Sequence, residues 1–408
     1  MAPPKAADSA YRGRRFSVDN SPLGTRGRTR PQIQCMVPLS SRYIRGIPPC
    51  LAPTTDSTPP MAEIHRQLQL FGTEELRRVA EAIRNPAERR RALDRIEAAS
   101  AALGEPAEDD VAFSHSGLCQ TCLPHAKPTS NDLIWERSSG RFHLMVSPGV
   151  VRGPDGRATR VGVPYGTRAR LIMIFLQTEG VRGRTVSLGP SMSAWIRSLG
   201  LPVTGGPRGT IQAIREQSLR IARCEFTLQW TARSAEGVDE TIIRDQRLVS
   251  GLSLWHAQEE GRGARWQATV ELTREFHEHL REHAVPRVRD AIAHLKDNSL
   301  GLDLYTLFAY RLQRLEQPLL LRWHALAAQV GSETGRTSHL AQRVKAVLPD
   351  VLAVYPDARV ELMRHGLRLL PSRSPVPRTV VQGLRVIEGN PLRPATGPDC
   401  RIDVRRSD

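Results

Sequence analysis

The stretch VSLGPSMSAWIRSLGLPVTGGPRGTIQAIREQSLRIARCEFTLQW, residues 186–230, decides the fold. It reads as a strand (Thr185–Leu188), a short helix (Ser191–Leu199), a glycine turn (Thr204–Gly209), a second helix (Thr210 to about Cys224) and a strand (Glu225–Trp230). Ser191 has the chemistry of an N-cap and Gly200 that of a helix stop. Two helices joined by a glycine-containing turn point to a helix-turn-helix, and flanking strands turn it into a winged helix.

At about 100° per residue, the second helix places Ile211, Ile214, Ser218, Ile221 and Ala222 on one side. Gln212, Glu216, Arg220 and Arg223 fall opposite, with Arg215 and Gln217 at the flanks. The apolar side seats on the domain. The polar side is then free to enter a DNA major groove, which admits an α-helix.

Composition points the same way. The 408 residues exceed one ordinary domain, and 58 Lys+Arg against 42 Asp+Glu give a formal charge of +16. Such a surplus fits a polyanionic partner; an arginine-rich proteome is the bland alternative. No signal-peptide core is read near the start, and no apolar run approaches the roughly 20 residues that span a bilayer. Scattered cysteines fit reduced thiols, so the expected location is the cytoplasm, with no membrane partner.

Residues 1–60 are rich in Pro, Ser, Thr and Arg and lack hydrophobic periodicity. They are either a disordered basic arm or an upstream stretch admitted by start-codon choice. Residues 61–110 are a helical N-terminal segment, with Asn85-Pro86 separating two helices. Cys119 and Cys122 lie between His115 and His125. That spacing invites zinc, but no second pair follows; a packed turn is the expected reading, and no metal is assigned.

Residues 111–272 are read as a first winged-helix domain with its N-terminal extension. Its first helix runs from Thr167 to about Glu179, and its wing is the hairpin around the polar loop Thr231–Asp239, where Arg233 faces phosphate. Residues 273–372 are a second winged-helix domain. Asp303–Leu315 is helical, a helix from Pro318 ends near Gly331, and Thr337 or Ser338 caps the helix His339–Leu352. Arg364-His365-Gly366 turns a closing hairpin. Residues 373–408 are a flexible tail. The fold class is therefore α+β, two winged helices in tandem between disordered ends.

Several blocks resemble the plasmid-encoded RepA replication initiators. They include Pro164-Tyr165-Gly166 with Arg168 and Arg170, Thr178-Glu179-Gly180, and Thr204-Gly205-Gly206-Pro207-Arg208-Gly209-Thr210. His115-Ser116-Gly117, Leu123-Pro124-His125 and Leu302-Asp303-Leu304-Tyr305-Thr306 resemble them as well. The resemblance covers roughly residues 111–372. It implies tandem winged helices on repeated origin sites, with double-stranded origin DNA as one partner. It further implies recruitment of host replication proteins (a helicase or its loader, and the host initiator), autorepression of the initiator's own gene, and a homodimeric form. It carries no catalytic residue.

The DNA contacts follow from the wheel and the turn. The glycines of the turn let backbone approach closely, and the helix N-terminus after them suits phosphate. Thr204, Arg208 and Thr210 stand there. Gln212 has the chemistry to pair with adenine, and Arg215 or Arg220 with guanine. Glu216 is read as the i+4 partner of Arg220 rather than as an acceptor from cytosine. Arg223 completes the first set. In the second domain Arg336, Ser338, Gln342 and Lys345 take the matching roles, with Arg364, His365 and Arg368 on the wing. No cofactor is assigned. An enzyme is not read: there is no His-hydrophobe-His cluster, no paired carboxylates in a glycine loop and no convincing nucleophilic tyrosine. A transcriptional regulator on the same fold is the alternative.

Overall fold

The computed structural model describes residues 63–153, 156–233, 239–252, 268–331 and 336–381. The expected basic arm (1–60) and the last part of the tail (382–408) lie outside them. The class is α+β, as expected.

The chain opens with α1 (Glu63–Glu81), broken at Gly72, and α2 (Pro86–Ala101). Asn85 caps α2 by accepting from the backbone N–H groups of Ala87 and Glu88. Five strands follow: β1 (Val111–His115), β2 (Trp135–Ser139), β3 (Phe142–Ser147), β4 (Val150–Arg152) and β5 (Ala158–Arg160). Then come α3 (Gly166–Arg182), β6 (Thr185–Ser187), α4 (Met192–Ser198) and α5 (Thr210–Arg223). Ser191 caps α4 through the N–H of Ala194. Next are β7 (Glu225–Arg233), β8 (Asp239–Gln246), β9 (Val249–Leu252), β10 (Thr269–Leu272), α6 (Arg274–Glu282), β11 (Ala284–Val288) and α7 (Arg289–Leu295). The last elements are α8 (Ser299–Arg311), β12 (Leu319–Arg322), α9 (Trp323–Val330), α10 (Thr337–Ala353), β13 (Val360–Met363) and β14 (Gly366–Leu369).

One order of elements occurs twice. The first instance is α3, β6, α4, α5, β9, β10, with the β7–β8 hairpin inserted between α5 and β9 and strands arranged β6-β10-β9. The second is α8, β12, α9, α10, β13, β14, with strands arranged β12-β14-β13. In both, the strand between the first two helices pairs antiparallel with the last strand of the closing hairpin.

This pairing corrects two expectations. The β7–β8 hairpin, read as the first wing, pairs with β3 and completes the sheet β2-β3-β7-β8. The strand β6 pairs instead with β10, which also pairs with β9. Both hairpins alternate in sequence, and only tertiary pairing tells which one meets β6. The helix expected from Pro318 is β12 followed by α9: the short apolar run Leu319-Leu320-Leu321 does not by itself distinguish strand from helix.

Further differences lie at the ends of elements. The N-cap residue of α10 is Arg336, with no side-chain cap from Thr337 or Ser338. The start of the expected tail is packed, since Val376 is buried and Tyr355 Oη donates to Arg373 O at 2.6 Å.

One hydrophobic cluster runs from Val111 to Val376, and β1 pairs with β11 across the expected domain boundary at 272/273. Trp195, Ile196, Ile214 and Phe226 fill it beneath the first repeat, and Tyr305, Phe308 and Tyr355 beneath the second. A second cluster joins α1 and α2 to α10: Leu68, Ala80, Ile96 and Ala99 bury with Ala353. Arg95 Nε reaches Asp350 Oδ1 at 2.7 Å, and His65 Nε2 bonds Leu352 O at 3.1 Å. No described helix is long and apolar enough to cross a membrane.

Candidate nucleic-acid interface

The glycine turn before α5 is built from the residues that were read as phosphate ligands. Gly206 has φ +83°, and a Cβ on Gly209 would stand 2.3 Å from Gly205 O and 2.4 Å from Thr204 O. A side chain at Gly209 forces the turn open, and one at Gly206 strains the left-handed backbone. Thr204 Oγ1 accepts the N–H of Thr210 at 2.9 Å, and the two hydroxyls are 2.8 Å apart. Thr210 is buried, so it shapes the turn from inside. Arg208 projects from the turn into solvent.

Along α5, Gln212 and Arg223 are exposed and Arg215 and Glu216 are half-buried, while Ile214, Ser218 and Ile221 face the core. Arg220 breaks the expectation: its residue is only 4% exposed. Its Nη1 donates to Val163 O at 3.1 Å, and its Nη2 to Glu216 Oε1 at 2.9 Å and Asn131 Oδ1 at 3.4 Å. The salt pair with Glu216 is the one expected; the outward guanidinium is not. Gln217 is buried too, accepting from the N–H of Tyr165 at 2.9 Å. The helical wheel failed here because residues 161–165 pack along that side of α5, and a wheel shows only one helix. Arg223 donates from Nε and Nη2 to Val150 O. Arg233 ends β7 opposite Asp239, in the four-stranded sheet rather than on a wing.

In the second repeat Leu340, Val344, Val347 and Val351 are buried at helical spacing. Arg336, Ser338, Gln342 and Lys345 are exposed along the other side of α10. The closing hairpin turns at Arg364-His365, both exposed, with Met363 paired to Gly366. Trp323 fixes this turn, donating Nε1–H to Arg364 O and its backbone N–H to His365 O, each at 3.0 Å. Arg368 is exposed on β14 and pairs across the strands with Glu361 at 3.2 Å.

Several other motif residues quoted for the family resemblance assemble in the interior. Arg170 on α3 meets Asp303 on α8, and its Nη1 also donates to Pro124 O and Gly166 O, its Nη2 to Leu123 O. His125 bonds Ser299 Oγ through Nδ1 at 2.9 Å and Val330 O through Nε2 at 2.8 Å. Burial pushes the His125 imidazole down to about 4, against the raising effect of Asp303. Thr178 Oγ1 and Gln177 Oε1 on α3 accept from the N–H groups of Phe113 and His115, tying β1 to that helix. His115 Nε2 contacts His279 Nδ1 at 2.8 Å, and burial holds its imidazole well below the usual value.

Cys122, His125 and Asp303 bring one ligand atom each within 4.8 Å of one another. The donor set fits a metal poorly. Asp303 is held by a guanidinium, both His125 nitrogens are bonded, and burial pushes the Cys122 thiol up to about 12. Cys119 is raised to about 11 for the same reason. These groups are the polar knot of a packed turn. The sequence reading did not anticipate this knot, although every member lies in or beside a quoted motif.

Residues 163–322 match the family of the plasmid encoded RepA protein. The match runs from α3 through β12 and includes Arg170 and Asp303. No curated protein matches the chain. Among solved structures, the chain is similar to domains 2 and 3 of RctB as the selenomethionine derivative, with 12% identity and a TM-score of 0.41 over 64% of this chain and 98% of that one. A second crystal structure of RctB domains 2-3 gives 12% identity and a TM-score of 0.37 over 62% and 94%.

Proposed function

We propose that the chain is a plasmid replication initiator that binds repeated sites in its origin through two winged helices, α3–β10 and α8–β14. One observation carries this reading. Apart from the β7–β8 hairpin inserted in the first instance, the same order of elements and strands occurs twice, each time with polar and cationic residues on the outer side of the third helix, in a chain whose residues 163–322 match plasmid encoded RepA proteins. Gln212 and Arg215 on α5, and Ser338, Gln342 and Lys345 on α10, read base edges. Arg208, Arg336, Arg364 and His365 hold phosphate, and Arg368 supports the second wing. Arg220 has no part in this set, since its guanidinium is bonded inside the fold.

Each chain spans one repeat with both reading helices in successive major grooves, as helix-turn-helix dimers do at about 34–36 Å. Bound chains open the origin, recruit a host helicase or its loader together with the host initiator, and repress their own gene; the chain also forms a homodimer. The test is a footprint on the DNA flanking the gene, together with deletion of the gene from its plasmid. Two protected grooves per chain and loss of replication are the expected results. Altered transcription with replication intact makes the chain a regulator instead.

A further inference from the structure

The strands β4 and β5 form a hairpin that belongs to no larger sheet among the described residues. Val150 pairs with Arg160, Val151 with Thr159 and Arg152 with Ala158. Every residue of β5 is exposed, and β4 has only Val151 half-covered. A lone two-stranded hairpin is marginal in water, so something must hold it. What holds it is the last turn of α5.

Val150 O accepts from Arg223 Nε at 3.1 Å and Nη2 at 2.7 Å. Gly149 lies so close that a Cβ there would stand 2.0 Å from Arg223 O. On the other root, Val163 O accepts from Arg220, and Cys224 Sγ donates to Gly162 O at 3.4 Å. Both ends of the hairpin are thus bolted to one end of the candidate reading helix. The two arginines that a helical wheel turns toward DNA are the bolts.

The hairpin brings its own cations. Residues 150–160 contain Arg152, Arg157 and Arg160 against the single acid Asp155. Arg152 Nε closes the tip by donating to Gly156 O at 3.1 Å. Arg160 makes an ion pair with Asp132 at 3.2 Å, but at 49% and 76% side-chain exposure such a pair is screened by water. Arg208 marks the opposite end of α5, about 21 Å away for a 14-residue helix.

Resting on the DNA-binding reading above, we propose that the β4–β5 hairpin is a clamp for the duplex backbone. Arg152, Arg157 and Arg160 contact phosphates at the C-terminal end of α5, while Arg208 holds the other border of the groove. The clamp adds affinity without sequence preference.

The test uses the full chain, an origin-site duplex and a random duplex, titrated over a range of salt. The triple variant R152A/R157A/R160A is expected to bind both duplexes more weakly by a similar factor. Its slope of log affinity against log salt falls by about 2 to 3, at roughly 0.9 per phosphate. The corresponding triple lysine variant keeps the slope. If the alanine variant folds normally and binds both duplexes with wild-type affinity and slope, the clamp is overturned and the reading of α5 stands. If the wild-type chain binds neither duplex, clamp and function fall together. Should the alanine variant fail to fold, amide exchange of the wild-type chain decides. Slowed exchange across residues 150–160 on adding duplex supports the clamp, and unchanged exchange overturns it.

Discussion

Arg170 and Asp303 face each other through two parallel hydrogen bonds, Nε to Oδ1 at 2.7 Å and Nη2 to Oδ2 at 2.6 Å, with side chains 6% and 10% exposed. The remaining guanidinium N–H groups donate to the carbonyls of Leu123, Pro124 and Gly166. The pair joins α3 to α8, the first helices of the two repeats. It replaces water around a buried charge with a complete set of partners.

Breaking this pair from one side strands a buried cation. Asp303→Ala is expected to lower stability by about 3–5 kcal/mol. The double variant Arg170→Met/Asp303→Leu should recover part of that loss, because it removes the stranded cation but leaves the Leu123 carbonyl without its donor. Urea denaturation of the three proteins checks both statements. A single variant with wild-type stability would show that the pair does not support the fold.

Acid should weaken the same knot. His125 is neutral in the fold down to about pH 4, whereas in the unfolded chain it protonates near 6.5. The unfolded state therefore binds more protons between these values, and stability is lost as pH falls through that window. The contribution is up to about 3 kcal/mol, since a tenfold difference in proton affinity between the two states corresponds to about 1.4 kcal/mol. Denaturation midpoints at pH 7 and pH 4.5 should converge in His125→Asn relative to wild type; an undiminished pH dependence would clear His125 of responsibility.

On α5, neighbouring residues should separate cleanly into two roles. Arg220→Ala removes the donor from Val163 O and should cost about 1–3 kcal/mol of stability, the penalty for a buried group left without its partner. Gln212→Ala should leave the melting temperature within about a degree or two, since surface changes alter stability by about 0.5 kcal/mol or less. It should narrow discrimination between origin and altered duplexes by about 1–3 kcal/mol. Thermal melts and competition binding read the two effects. Equal melting losses in both variants would contradict the burial difference.

The turn before α5 tolerates no side chain at Gly209. Gly209→Ala places a methyl on two carbonyl oxygens, so the turn must open and move Arg208. The expected cost is about 1–3 kcal/mol, the usual range for overpacking, with weaker DNA binding beyond it. Calorimetry and binding on one preparation check this; a neutral substitution would mean that the turn is easily rearranged.

Much of the second repeat was legible in sequence because its signals are local. The stripe of Leu340, Val344, Val347 and Val351 and the turn at Arg364-His365 need no distant partner. The same holds for α4 and α5, set off by Ser191 and the glycine turn. What escaped depends on contacts between distant segments. Whether β7–β8 or β9–β10 meets β6 is a pairing choice that alternation cannot express. Arg220 was misplaced because the stretch of chain covering it comes from residues 161–165. The β4–β5 hairpin did leave a trace, the Gly153-Pro154-Asp155-Gly156 turn signal between two short runs. Family resemblance picked out Arg170, Asp303 and His125, but only the fold gives them an interior role.

The seat of α1 and α2 on α10 has a consequence for synthesis. His65 and Leu352 lie 287 positions apart, and Arg95 and Asp350 lie 255 apart. A ribosome adding about 5–20 residues per second needs roughly 13 to 57 seconds to cover that gap. Through that interval the nascent α1–α2 pair lacks Ala353 and the α10 surface that completes its cluster. Translation speed across the middle of the message thus sets how long that face stays bare to proteases and to other growing chains.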